Sequence, residues 1–189
     1  MIQLPSDYNQ AAAYDGNGSP KLVPGGYICK IAGARCEKVN TKNGPAQKLV
    51  LAFDIAEGEY KDIYQRRFEG DANPDKRWPL DAIYYLNVPN DNSQQYIWDN
   101  WNTFFADLED SNNGFVFSGD VKKLKNKLLG GKFAIEQTEY NGNVYDHTRL
   151  RWTCVADDVR NGKAGKMPND KLISKQAAAP SDGFMDVPL

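Results

Sequence analysis

The chain has 189 residues, a formal net charge of −2 and 41% hydrophobic residues. That is room for one ordinary domain with an arm or a tail, and it excludes a uniformly basic nucleic-acid binder, leaving only a local basic face. A single histidine, His147, leaves little room for histidine-based catalysis, and the three cysteines (Cys29, Cys36, Cys154) form no C-x-x-C pair.

Reduced, buried thiols are the expectation for those cysteines, rather than a disulfide scaffold. No apolar run approaches the roughly 20 residues of a membrane span. The opening Met1-Ile2-Gln3-Leu4-Pro5 lacks a basic segment followed by an apolar core. The expectation is a cytoplasmic protein with no membrane contact.

Residues 1–24 hold Asn, Gly, Ser and Pro with an Ala11-Ala12-Ala13 run, the composition of an N-terminal arm. Pro24-Gly25-Gly26 stops it and launches a first strand over 27–37, with Gly33 marking a bend. A turn over 40–45 leads to a second strand over 47–57. Leu49, Leu51, Phe53 and Ile55 share one face of it; Lys48, Val50, Ala52 and Asp54 share the other. Residues 60–68 alternate as a third strand, with Tyr60, Asp62, Tyr64, Arg66 and Phe68 on one face. Residues 69–92 make an insertion in which Trp78-Pro79 and Ile83-Tyr84-Tyr85-Leu86 are apolar.

Ile97, Trp98, Trp101, Phe104, Phe105 and Leu108 recur at helical spacing, which predicts a helix over 93–110 with a core-facing stripe, capped by Asn92 or Ser93. A shorter helix follows Asp120, turns Val121, Leu124 and Leu128 inward and ends at Gly130-Gly131. Lys122, Lys123, Lys125 and Lys127 point away from it, as a solvated face does.

Asn141-Gly142 marks a two-residue hairpin turn, because both positions take positive φ. It pairs Tyr140 with Asn143, Ile135 with Thr148 and Phe133 with Leu150, and it sets Trp152 beside Gly131. The apolar residues of both strands then fall on one face, so turn and pattern agree. The other face carries Lys132, Ala134, Glu136, Thr138 and Tyr140 across from Arg151, Arg149, His147, Tyr145 and Asn143. Arg151 opposite Lys132 places two like charges together, which a sheet disfavours unless a polyanion lies over them. Residues 160–189 lose periodicity and read as a flexible tail, ending in a docking peptide of apolar and acidic residues.

Three strands, a helix and a hairpin suit a mainly β, α+β domain over 25–159. The architecture expected is a five-stranded OB-fold-like barrel, with a helix between strands three and four and an insertion near 69–92. Its open face would gather Tyr64, Arg66 and Phe68 with Tyr145, His147, Arg149 and Arg151; Lys48 and Lys132 complete the candidate set. Rings between arginines suit unpaired bases, which stack at roughly 1–3 kcal/mol each whatever their sequence. Arginine and lysine meet phosphates and release counterions.

The residues Pro24 through Ile31 and Leu49 through Tyr60 resemble the opening of a family of phage-encoded proteins, long catalogued as a domain of unknown function and regarded as single-stranded DNA-binding. Trp78-Pro79, Thr103-Phe104-Phe105, Glu109 through Phe115, Gly131-Lys132 and Phe184 through Pro188 continue the resemblance. It implies an OB-fold protein coating single-stranded DNA in phage replication or recombination in the bacterial cytoplasm, with a tip that recruits partner proteins. Phe184, Asp186, Val187 and Pro188 would carry that docking. The tip has two aspartates rather than an acidic run, and closes with Pro188-Leu189 instead of Pro-Phe.

The expectation is therefore a non-enzymatic binder with no cofactor, no catalytic residue and no metal, able to form a homo-oligomer. A second reading is a protein-binding adaptor or inhibitor using the same barrel. A metal-dependent nuclease is a third, for which no carboxylate cluster or metal motif is visible. Gly162-Lys163-Ala164-Gly165-Lys166 is no phosphate loop, since it lacks the spacer and the Ser/Thr.

Overall fold

The computed structural model describes residues 21–41 and 44–173. The candidate tip, Phe184 to Pro188, and most of the N-terminal arm lie outside them. The described chain forms one antiparallel five-stranded sheet with three helices. The strands are β1 (Gly25–Thr41), β2 (Gly44–Ile55), β3 (Ile83–Val88), β4 (Leu128–Tyr140) and β5 (Asn143–Cys154). Their spatial order is β3-β2-β1-β4-β5. The helices are α1 (Ile63–Gly70), α2 (Gln95–Asp110) and α3 (Ala156–Arg160). Among the described residues no helix is long and apolar enough to cross a membrane.

The alternation in β2 has its expected consequence: Leu49, Leu51, Phe53 and Ile55 are all buried. The other face is less open than alternation implies, since Val50 and Asp54 are buried as well. The β1–β2 register slips between Ile31 and Gly33, at the bend the glycine marked. There Ile31 exchanges backbone hydrogen bonds with the chain leaving the turn after 121–124, donating to Lys127 at 2.9 Å and accepting from Asn126 at 2.7 Å.

Residues 60–68 are not a strand. Tyr60, Ile63 and Tyr64 are buried, and their spacing is that of a helix face, not of a pleat. The decisive contact is non-local. The Asp54 carboxylate of β2 accepts backbone N–H bonds from Tyr64 at 3.0 Å and Gln65 at 2.9 Å, and also from Ile55 at 2.8 Å. It caps α1 from another element, satisfying donors that the first turn of a helix leaves open. Burial pushes the Asp54 pKa up, more strongly than these three donors pull it down.

The third strand instead lies inside the region expected to be an insertion. Ile83–Val88 pairs with Gln47 through Ala52, so Leu51 meets Tyr84 and Leu49 meets Leu86. Trp78 is tied down by an Nε1–H bond to the Phe53 carbonyl at 3.0 Å and packs on Phe68.

Helix α2 places Phe104, Phe105 and Leu108 in the core, as its period predicts, while Trp98 near its start is exposed. It begins at Gln95. Asn90 and Ser93 form the preceding turn rather than a cap, with the Asn90 N–H donating to Ser93 Oγ at 2.8 Å.

The second expected helix is a single 3-10 turn, Val121–Leu124. Gly130-Gly131 does not end it, because both glycines sit inside β4. A Cβ on Gly130 would lie 2.7 Å from the Val155 carbonyl oxygen, so the chain leaving β5 approaches too closely for any side chain. Of the cysteines, Cys29 and Cys154 are buried free thiols, but Cys36 is exposed.

Two buried clusters pack on the face of the sheet that carries Leu49, Leu51, Phe53 and Ile55. Phe53, Ile55, Ile63, Tyr64, Phe133 and Leu150 form one; Leu49, Leu51, Phe104, Phe105, Leu108 and Leu129 form the other. Helix α1 covers the first and α2 the second. No ladder joins β3 to β5, the two edges of the sheet. Across the seam, side chains tie β5 instead to the elements on either side of β3. Thr153 of β5 donates to Asp107 of α2 at 2.6 Å, and His147 of β5 lies 3.4 Å from Asp81 in the turn before β3.

Part of the region expected to be a tail is docked. β1 leaves β4 at Phe133, and Lys171 takes the freed edge. Its N–H donates to the Ile135 carbonyl at 2.8 Å, and its carbonyl accepts from Gln137 at 2.9 Å.

Candidate nucleic-acid interface

The Asn141-Gly142 turn has positive φ at both positions, 51° and 76°. It closes the hairpin in the expected register: Tyr140 with Asn143, Ile135 with Thr148, Phe133 with Leu150 and Ala134 with Arg149. Phe133, Thr148 and Leu150 are consequently buried.

Beyond Leu150 the register changes. Lys132 pairs with Trp152 and Gly131 with Thr153, so Arg151 is an extra residue on β5, a bulge. Arg151 therefore does not face Lys132, and the expected like-charge pair is absent. Trp152 lies opposite Lys132 rather than Gly131. Lys132 turns its Nζ to the Lys166 carbonyl at 3.4 Å.

Tyr145, His147 and Arg149 occupy alternate positions of β5 and project from the same side, about 7 Å apart along the strand. Tyr145 is 46% exposed. His147 Nε2 lies 3.0 Å from Thr138 Oγ1 on the neighbouring strand. Arg149 and Arg151 share one carboxylate, with Glu136 at 3.4 Å from the first and 3.7 Å from the second. Lys171 reaches the same carboxylate at 2.6 Å. The hydrogen bond from Lys171, reinforced by both arginines, holds the Glu136 pKa below the usual range. Three cations thus surround this carboxylate, and a second, Asp170, accepts the neighbouring Ile135 N–H at 2.9 Å.

A cleft of about 560 Å³ opens at the seam beside this row. Lys21, Tyr64, Arg67, Asp81, His147 and Arg149 line it. Its carboxylates are engaged: Asp81 lies 3.6 Å from Arg67 and 3.4 Å from His147, and Asp146 accepts from Gln137 at 2.9 Å. Its donors are not all matched. Tyr64 Oη and Arg149 Nε are buried and have no hydrogen-bond partner among the described residues. Burial raises the Tyr64 pKa far above that of an ordinary phenol, so the hydroxyl keeps its proton as a donor.

The remaining candidates are dispersed. Tyr64 is 1% exposed, under the seam rather than on a face. Its ring is a wall of the core and offers no stacking surface. Arg66 and Phe68 lie on α1, on the far side of that helix from the seam cleft. Lys48 pairs with Glu37 and Asn87 on β1 and β3, separated from β5 by β1 and β4.

Two cations of the site, and one exposed ring outside it, were missed by sequence reasoning. Arg67 and Lys21 line the seam cleft. Tyr85 on β3 is 55% exposed and stands in one row with Val50 and the exposed Arg35. Its signal was the alternation of Tyr84, which packs on Phe104, with Tyr85, which does not. Among the described residues no three His, Cys, Asp or Glu side chains are placed to share a metal ion.

No family model matches the sequence, and no curated protein matches it.

Proposed function

We propose that this protein binds single-stranded DNA without sequence preference and without catalysis. The strand lies along β5. The row of Tyr145, His147 and Arg149 carries this reading: a solvent-facing ring and a guanidinium alternate at one spacing on a sheet edge. A ring takes the face of any unpaired base, while a duplex keeps those faces covered. Arg149 and Arg151 take phosphates, displacing the share of their charge that Glu136 now holds. Unmatched donors at Tyr64 Oη and Arg149 Nε add to the preference for an anion.

The strand order supports an OB-fold reading. Pairing of β3 with β5 is the one ladder a closed barrel of this order would add, and OB-folds are partly open barrels. The resemblance noted above supplies the setting, phage DNA replication or recombination in the host cytoplasm. Recruitment of replication or recombination proteins through Phe184, Asp186, Val187 and Pro188 belongs to the same proposal.

The test is an anisotropy titration of labelled oligo-dT with the wild type and with Arg149→Ala/Arg151→Ala. The double variant binds all sequences more weakly. Its log K against log salt flattens by about 1.4, at about 0.7 for each phosphate that is no longer neutralised. Equal affinity and slope in the two proteins remove β5 from the site.

A further inference from the structure

Helix α1 has a second flank. A cleft of about 510 Å³ lies between it and the 71–79 loop. Arg66, Arg67 and Arg77 line it, with Phe68 and Asp71. The side chains of Arg66 and Arg77 are exposed and form no ion pair or hydrogen bond among the described residues. The one carboxylate, Asp71, accepts the N–H of Asn73 at 2.9 Å and is occupied in shaping its own loop. Lys76 sits over the Phe68 ring at 4.9 Å, a fourth cation close by.

Arg67 is matched by Asp81 at 3.6 Å on its seam side, and the three guanidiniums bring only donors to this cleft. Their planar forks match phosphate oxygens, two N–H bonds at a time. Arg67 lines both this cleft and the seam cleft, so the two meet at one side chain. A strand leaving the β5 row at the seam would meet Arg67 first, with Arg66 and Arg77 beyond it.

We propose that the Arg66–Arg67–Arg77 cleft is a second phosphate-binding site, where the backbone of the strand on β5 continues past α1. This rests on the single-stranded DNA reading for the identity of the ligand. It does not rest on it for the phosphate chemistry.

The experiment uses the full chain and Arg66→Ala/Arg77→Ala. Both side chains are exposed, so the thermal midpoint stays at its wild-type value. With long oligo-dT the variant binds about tenfold more weakly and its salt slope flattens by about 1.4. With an oligonucleotide short enough to occupy β5 alone it binds as the wild type does. Wild-type affinity and slope at every length, alongside weakened binding by Arg149→Ala/Arg151→Ala, overturn the cleft and leave the DNA reading standing.

A second arm titrates inorganic phosphate, tripolyphosphate, and oligo-dT with and without a 5′-phosphate, following backbone amide resonances. With tripolyphosphate, shifts at residues 66–72 and 77 support the cleft; with oligo-dT they accompany shifts along β5. Equal shifts with and without the 5′-phosphate support internal phosphodiesters passing the cleft; a preference for the 5′-phosphate overturns the continuing strand. Shifts with tripolyphosphate but no binding of oligo-dT keep the phosphate site and sink the DNA reading. No shift with any of these ligands overturns the site.

Discussion

Glu136 on β4 lies 3.4 Å from Arg149 on β5, two residue pairs along the hairpin on its diagonal. The guanidinium that the proposed binding mode offers to a phosphate is thus already matched to a carboxylate, which Arg151 and Lys171 share. Any polyanion on this face competes with Glu136. Replacing Glu136→Gln removes the competitor and keeps the shape. Affinity for oligo-dT rises, and the salt slope steepens by about 0.7, one further phosphate's worth of counterion release. An anisotropy titration over a salt series measures both.

The same carboxylate gives a pH signature. The folded-state pKa of Glu136 is lowered, first by the hydrogen bond from Lys171 and then by the charges of the cations around it. A depressed carboxylate contributes stability that is present above its unfolded pKa and is lost as pH falls through the folded value. Glu136→Gln lacks that contribution, so its deficit relative to wild type shrinks on acidification below the ordinary glutamate range. Asp54 and Asp107 are raised by burial and act with the opposite sign, losing stability as pH rises through their folded values. The difference between variant and wild type cancels them. Urea melts of both proteins across the acidic range provide the comparison.

Asp54 holds α1 against the sheet. Asp54→Ala strips acceptors from the N–H groups of Ile55, Tyr64 and Gln65 in a buried setting. Each unsatisfied buried donor costs about 1–3 kcal/mol, relieved in part by water entering the space left. A destabilisation of about 2–4 kcal/mol in urea unfolding is expected. Because Tyr64 and Arg67 ride on α1, oligo-dT binding weakens as well. A variant as stable as wild type would mean that α1 does not depend on this cap.

How far these features could be read from the sequence follows the range of the interactions that set them. The Asn141-Gly142 turn is local, and it fixed the pairing of Phe133 with Leu150 correctly. Helix α2 was legible because Phe104, Phe105 and Leu108 repeat its period within one element. Helix α1 was not, because the acceptor that caps it is Asp54, ten residues upstream on another element. In isolation Tyr60, Asp62 and Tyr64 alternate as well as any strand. Mistaking α1 for the third strand concealed the real one, Ile83–Val88, and with it Tyr85. The bulge at Arg151 accompanies the close approach of the chain after β5 to Gly130, and no local pattern encodes that approach. Of the candidate site, the row along β5 was legible; the cleft beside it, which depends on where α1 lies, was not.

The central claim is that β5 presents its ring and cations to unpaired bases. Its most direct test is the affinity of the full chain for labelled oligo-dT and for a duplex of the same length over one salt series. The account predicts tighter binding to the single strand at every salt concentration, with log K falling linearly as log salt rises. Equal affinity for both forms, or no binding of oligo-dT at low salt, would contradict it.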